Sequence, residues 1–475
     1  MKCLHSCLPG SVFGSGLLLM FLAAPAWSSP ALDALIAKGL TRNPELAAQL
    51  QTLEASRQSL NEANAARKPV IGLSARASVA EGGRTFDIPI GDALNPVYRN
   101  LEQLNAQAIG PNAPKYPTLQ NQSNKLLRPH EQETKITLTA PLYVPTLAPK
   151  INAVAASGQA SAAQVESVAR HLVRDIKVAY YGLQQAQAQH VVLTSSEQLL
   201  KENLRVNQAL LAQGKITRDA VLRAEAELLA VQQAMAESRF QADFASRRLS
   251  VLTNQPQDTV ITAKGPLNAQ TDALQMDDFQ VPPELRQIQA GVEARKQLEA
   301  AARNSFLPTV GFAADAGIQG TNYASAPGSA FAIASVVLSW NFSDGGARDA
   351  QLGQALALRQ QQEAQQENAK NLLENVLRSA AERLKLSISQ LSTAQARQSA
   401  SEEAFRIALK KKDAGSLTQL EFFDAQRNLT DARQSVVAAT AQLNSAAAEF
   451  ELAKSSYTLP SHLNQASAWA QGTKP

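Results

Sequence analysis

The 475-residue chain is poor in the residues that build cross-linked, metal-bearing or densely aromatic domains. It has two cysteines, Cys3 and Cys7, both at the extreme N-terminus, so a disulfide framework and a cysteine-ligated metal are excluded from the rest. Its five histidines, His5, His130, His171, His190 and His462, show no H-E-x-x-H spacing, and neither a phosphate loop nor a nucleophile elbow is present. His171 and His190 read as surface or interhelix residues. No enzyme and no cofactor are expected. A formal net charge of +4 falls far short of the concentrated basic character that a nucleic-acid backbone demands. Beyond the N-terminus no run approaches the ~20 apolar residues of a membrane-spanning helix, so any entry into a membrane must use a closed β-barrel. Proline is missing from 106 consecutive residues between Pro149 and Pro256, and again between Pro327 and Pro460. Aromatic residues make up only 5 %.

Alanine fills much of the space that aromatics leave. It supplies roughly a sixth of the chain, about twice the usual share, which favours long, closely packed helices over a bulky core. The N-terminus combines Lys2, an apolar core from Val12 to Ala24, and the small-residue site Ala24-Pro25-Ala26. This predicts a cleaved secretory signal over residues 1–28.

Two copies of one pattern follow. Asn43-Pro44-Glu45-Leu46 aligns with Pro282-Pro283-Glu284-Leu285, and the same offset places Pro69 on Pro308 and Gly72 on Gly311. Farther along, Gly214-Lys215-Ile216-Thr217 aligns with Gly415-Ser416-Leu417-Thr418 at a shorter offset, so the first copy carries an insertion. The copies are placed at residues 29–265 and 266–460, with a C-terminal tail at 461–475.

Within each copy a helix begins at Pro44 or Pro283, where proline suits the first helical turn and Asn43 can cap it. After Pro69 and Pro308 the apolar period changes to two: Ile71, Leu73, Ala75, Ala77 and Val79 in one copy, Val310, Phe312, Ala314, Ala316 and Ile318 in the other. Strands are expected near 69–80 and 134–144, and near 308–319 and 331–342, each about as long as a tilted membrane strand. Tyr143, Trp340 and Phe342 fall at strand ends, where an aromatic girdle would lie. The insertion becomes a turn-rich loop over 82–133, with a short helix from Val97 to Ala108. The proline-free stretches predict a long helix of about 60 to 70 residues and a return helix in each copy, folded back at Gly214 and Gly415.

Four strands cannot close a barrel, and bare edges are not tolerated in lipid. Three chains would supply twelve strands, and the same symmetry would close the paired helices into a tube. The expected class is therefore mainly α with a membrane β-barrel: a duplicated helix, β-hairpin and long-helix unit, assembled as a trimeric 12-stranded barrel continued by an α-helical barrel.

With the duplicated order, the Leu-Pro-x-x-Gly segment Leu307–Gly311, and the turn Gly415-Ser416-Leu417-Thr418-Gln419-Leu420-Glu421-Phe422-Phe423-Asp424-Ala425 in hand, the chain resembles the TolC family of outer-membrane efflux proteins over residues 31–457. The resemblance implies a homotrimer in the outer-membrane lipid of a Gram-negative bacterium, extending into the periplasm. It further implies a periplasmic adaptor and an inner-membrane transporter of RND or ABC type, serving efflux or type I secretion. Gly214, Gly415, Thr217 and Thr418 would form the helix-hairpin tips where the adaptor docks.

Glu421 and Asp424, at i and i+3, share one face at the start of a return helix, where acidic residues also suit the helix dipole. In the family, acidic residues at the matching positions line the periplasmic entrance, and a trimer would set six carboxylates in a cation-attracting ring. Lys412 and Leu417 stand where the best-known member has a tyrosine and an arginine in its closing bonds, so its bonding network does not transfer. Arg218 and Asp219 are the weaker gate candidates in the first-copy turn. Two other classes are a periplasmic helical adaptor, which would show one hairpin between β-rich domains, and a structural coiled coil, which would lack amphipathic strands.

Overall fold

The computed structural model describes residues 30–256, 258–269, 280–322 and 328–464. The expected secretory signal, 1–28, and the tail from residue 465 lie outside the described residues. The first repeat begins with helices α1 (Pro30–Arg42) and α2 (Pro44–Ala65), and the second with α6 (Pro283–Asn304). Asn43 caps α2 as its position suggested, its Oδ1 accepting from the backbone N–H of Glu45 at 3.0 Å and of Leu46 at 3.1 Å.

Strands β1 (Val70–Val79) and β4 (His130–Tyr143) follow α2, and β5 (Thr309–Gly320) and β6 (Ala330–Ser339) follow α6. They form one antiparallel sheet in the order β1-β4-β5-β6. β4 starts ahead of the expected 134 because Val79 pairs with His130. β6 stops at Ser339, opposite Thr309 where β5 begins, so Trp340 and Phe342 lie just past the strand. No strand among the described residues pairs with the outer side of β1 or β6.

The insertion contains β2 (Thr85–Ile88) paired with β3 (Gln122–Lys125), and helix α3 (Ile90–Ile109). The helix is longer than its expected start at Val97 and runs through Pro96. Its first turn is fastened from outside: Asn95 exchanges two hydrogen bonds of 2.8 Å with the backbone of Leu119, and Asn121 bonds to Asp92. Those contacts offset the bond that proline removes.

Long helices α4 (Leu147–Ala212, 66 residues) and α7 (Ala347–Asp413, 67 residues) are followed by returns α5 (Arg218–Leu252) and α8 (Gln419–Lys454). No helix among the described residues is long and apolar enough to cross a membrane.

The chain divides into two compact units. One takes in residues up to Gln51, Ala162–Arg286 and the chain from Asn368, and carries the buried apolar residues of α1, α4 and α8, among them Leu32, Ile36, Ile176, Tyr180 and Leu443. It also holds an ionic cluster. Glu166, 1 % exposed, accepts from Arg170 Nε and Nη2 at 3.0 and 2.8 Å and from Arg286 Nη2 at 2.6 Å, while Arg170 Nη1 donates to the Tyr457 carbonyl at 2.7 Å. The other unit, Thr52–Ser161 with Gln287–Glu367, contains the sheets and α3.

Candidate functional site

The sheet has two chemically distinct faces, and the described residues cover neither. On one lie Ile71, Leu73, Ile136, Leu138, Phe312, Ala314, Val336 and Leu338; Ile71, Leu73, Val336 and Leu338 are 63–75 % exposed. So large an uncovered apolar face marks a surface meant for lipid or for another chain. The opposite face carries Ser74, Arg76, Ser78, Thr137 and Gln319, crossed by a ladder of ion pairs. Arg76 meets Glu133 at 3.4 Å, Glu133 meets Lys135 at 3.8 Å, and Lys135 meets Asp315 at 3.3 Å. The period of two in these strands puts Arg76 and Asp315 opposite the apolar positions, but their joining through β4 is not legible there, because pairing register is invisible in a single strand's alternation.

The chain enters and leaves the sheet through helices at one end only: α2 precedes β1, α4 follows β4, α6 precedes β5 and α7 follows β6. Tyr143, Trp340 and Phe342 all sit at that helix-bearing end. Trp340 donates from Nε1 to the Phe306 carbonyl at 3.1 Å and packs on Phe342 with ring centroids 4.6 Å apart.

Both helix turns have the same backbone. Gly214 and Gly415 adopt φ of 68° and 69°, the left-handed region that glycine enters without strain. In the first, Gly214 N–H bonds to Leu211 and Lys215 N–H reaches back to Leu210, at 2.8 and 3.0 Å; in the second, Gly415 bonds to Lys412 and Ser416 to Lys411, at 3.0 and 2.9 Å. This paired closure satisfies the last carbonyls of α4 and α7. Here the repeat seen in sequence is also a repeat in geometry.

The side chains differ between the turns. Thr418 caps α8 in a reciprocal box with Glu421: Thr418 Oγ1 accepts from the Glu421 N–H at 3.3 Å, and Glu421 Oε2 accepts from the Thr418 N–H at 2.9 Å. The Thr418 backbone bond, and then its hydroxyl, hold the Glu421 carboxyl below the usual glutamate range. Thr217 also precedes its helix, but its hydroxyl donates to the Asp219 carboxylate. That bond, with Arg223 at 3.8 Å, lowers the pKa of Asp219. Arg218 is the first residue of α5.

Asp424 is engaged by Arg427 at 3.1 Å, and Arg427 also reaches Glu227 of α5 at 3.4 Å. Arg427 and Glu227 were not singled out from sequence; their signal, one charge on each return helix, is common to any helical surface. Leu417 packs on an apolar knot behind the turns, where Phe422 and Phe423 are buried with Leu200 and Ala224. Lys412 lies 3.7 Å from the centre of the Phe422 ring, and burial lowers its pKa. Deeper between the helices, Gln426 donates to Ser196 at 2.5 Å, Gln419 to Asn203 at 2.9 Å, and His190 meets Ser238 at 3.1 Å.

Residues 280–453 match the model of the outer membrane efflux protein family. No curated protein matches the chain in sequence. Among solved structures it is similar to VceC, an outer membrane protein of Vibrio cholerae, with 16 % identity, 89 % of this chain and 95 % of that one covered, and a TM-score of 0.72. The MtrE outer membrane channel of Neisseria gonorrhoeae gives 17 %, 90 % and 89 %, and 0.72, and the CmeC outer membrane channel of Campylobacter jejuni 15 %, 95 % and 93 %, and 0.70. At these identities the likeness is one of fold. The second repeat thus carries the sequence signature of the outer membrane efflux protein family, and about nine tenths of the chain has the fold of outer membrane channels.

Proposed function

We propose that three copies of this chain form the outer-membrane channel of a tripartite efflux or type I secretion system, passively conducting substrates from a periplasmic adaptor and inner-membrane transporter to the exterior. The observation that carries this reading is the four-stranded sheet with two edges that no described strand pairs, one apolar face and one charged face. Joining β6 of one copy to β1 of the next removes every edge at twelve strands, with lipid outside and the Arg76–Glu133–Lys135–Asp315 ladder in the lumen. Helices α4, α5, α7 and α8 would continue it as an α-helical barrel in the periplasm. Residues 1–28 serve as the export signal. Tyr143, Trp340 and Phe342 form the girdle at the inner membrane–water boundary.

In this arrangement the two glycine turns are the periplasmic tips that meet the adaptor, and Glu421 and Asp424 face the entrance. The test of location is fractionation: recovery in outer membranes as a heat-modifiable trimer is expected, and recovery in the soluble periplasm would sink the channel reading. For the entrance, Glu421→Gln combined with Asp424→Gln should weaken cation selectivity and divalent-cation block in planar bilayers. Unchanged selectivity and block reject the acidic gate.

A further inference from the structure

The insertion between β1 and β4 presents a helix face that the trimer reading alone does not use. In α3 the residues Ile90, Leu94, Val97, Leu101, Leu104 and Ala108 follow one another at alternating steps of four and three, the spacing of a coiled-coil seam. The five large ones are 36–61 % exposed. A neighbouring face is already fastened to the loop through Asp92, Asn95 and Glu102, whose Oε1 accepts from the Tyr116 N–H at 2.6 Å, and Tyr98 stacks on Tyr116. The loop therefore holds the helix by its side and leaves the seam bare.

Three observations select the occupant. Leu94 and Leu101 take the a positions, and Ile90, Val97 and Leu104 the d positions. Leucine at a, with β-branched residues at two of the three d positions, disfavours a two-stranded seam and suits three or more strands. The flanking e and g positions, Gly91, Ala93, Tyr98, Asn100, Asn105 and Gln107, carry no charge, so identical copies meet without repulsion. Finally, the insertion leaves the sheet from β1, whose outer edge pairs with no described strand, at the end opposite the long helices. It thus springs from the boundary that a neighbouring copy must share.

We propose that α3 from three copies of this chain pack along these seams into a three-helix cluster over the loop end of the barrel, narrowing its outer mouth. The proposal rests on the trimer reading and adds a second contact between copies, away from the sheet edges.

The test is oxidative crosslinking of the full chain in outer membranes. Leu101→Cys places identical thiols in one layer of the cluster, whereas Arg99→Cys lies on the far side of the helix. With Leu101→Cys, most of the protein should run as a covalent dimer under denaturing conditions, and the band should be absent from Arg99→Cys and from the parent. Adding Leu94→Asp and Leu104→Asp should abolish the Leu101→Cys dimer while the heat-modifiable trimer persists. If the trimer forms and neither Leu101→Cys nor Leu94→Cys crosslinks, the cluster is overturned and the trimer stands, the stripe then lying on lipid or on the barrel rim. Equal crosslinking from Arg99→Cys also overturns it. Absence of any trimer overturns both readings together.

Discussion

Replacing Glu166 with alanine tests a buried charge held by two arginines. Its carboxylate receives three hydrogen bonds from two guanidinium groups, and Arg170, itself 5 % exposed, keeps only the Tyr457 carbonyl when Glu166 is gone. Breaking a buried pair by removing one partner costs about 3–5 kcal/mol. Arg286 is more exposed, with 30 % of its side chain accessible, so Arg286→Ala lets water replace one donor and should cost less, about 1.5–3 kcal/mol. Because large proteins of more than one compact unit often unfold irreversibly, a melting scan is the wrong readout. Hydrogen exchange of peptides covering residues 160–175 and 283–290 reports the local opening free energy instead. A loss of about 3 kcal/mol accelerates exchange by roughly 100-fold. Converting Glu166 and Arg170 together to leucine should recover at least half of the protection, since both charges then leave the interior. An acceleration below about threefold for Glu166→Ala, or a double variant no better than the single one, would refute the assignment of a stabilising buried cluster.

Two other expectations concern α1 and the second turn. A Cβ on Gly39 would lie 2.4 Å from Ile176 Cδ1, so Gly39→Ala should destabilise by about 1 kcal/mol net, overpacking outweighing the gain in helix propensity. In an Ile176→Val background, which lacks that methyl, the same change should become stabilising; an unchanged sign in exchange measurements on α1 would show that the contact does not limit the site. At the start of α8, Thr418→Ala should cost about 1 kcal/mol of local protection. The Glu421 carboxyl is held below its ordinary range, so its share of the cap is complete above the unfolded glutamate pKa and is lost as pH falls through the lower folded one. Exchange of residues 419–425, corrected for intrinsic rates, should show that loss in the parent and a flat profile in Glu421→Gln; matching profiles would contradict it.

Much of the architecture was legible because the chain is punctuated by residues with few conformational choices. Pro44 and Pro283 mark helix starts, Asn43 is a cap, and Gly214 and Gly415 mark turns that only a left-handed residue closes without strain. The period of two in Ile71–Val79 and Val310–Ile318 likewise revealed strands. What remained hidden depends on partners distant in sequence. The ion-pair ladder needs the register of three strands, the Glu166 cluster needs α4, α6 and the Tyr457 segment to meet, and Pro96 sits inside α3 because Leu119 and Asn121 secure its first turn. Leu417 belongs to the apolar knot behind the turn, a role that local spacing does not distinguish from an exposed tip.

The two glycine turns share a backbone but not a chemistry. One is stapled by Thr418 and Glu421, the other directs Thr217 onto Asp219, and Lys412 has no counterpart aromatic contact described at the first turn. The proposed ring of three chains would therefore display six tips of similar outline and two alternating kinds of surface. Any partner assembled from identical subunits and touching every tip must bind in two modes or bind at every second tip. In the proposed trimer, the duplication visible as a repeat would, through a handful of side chains, act as a vernier that halves the apparent rotational symmetry of the docking ring.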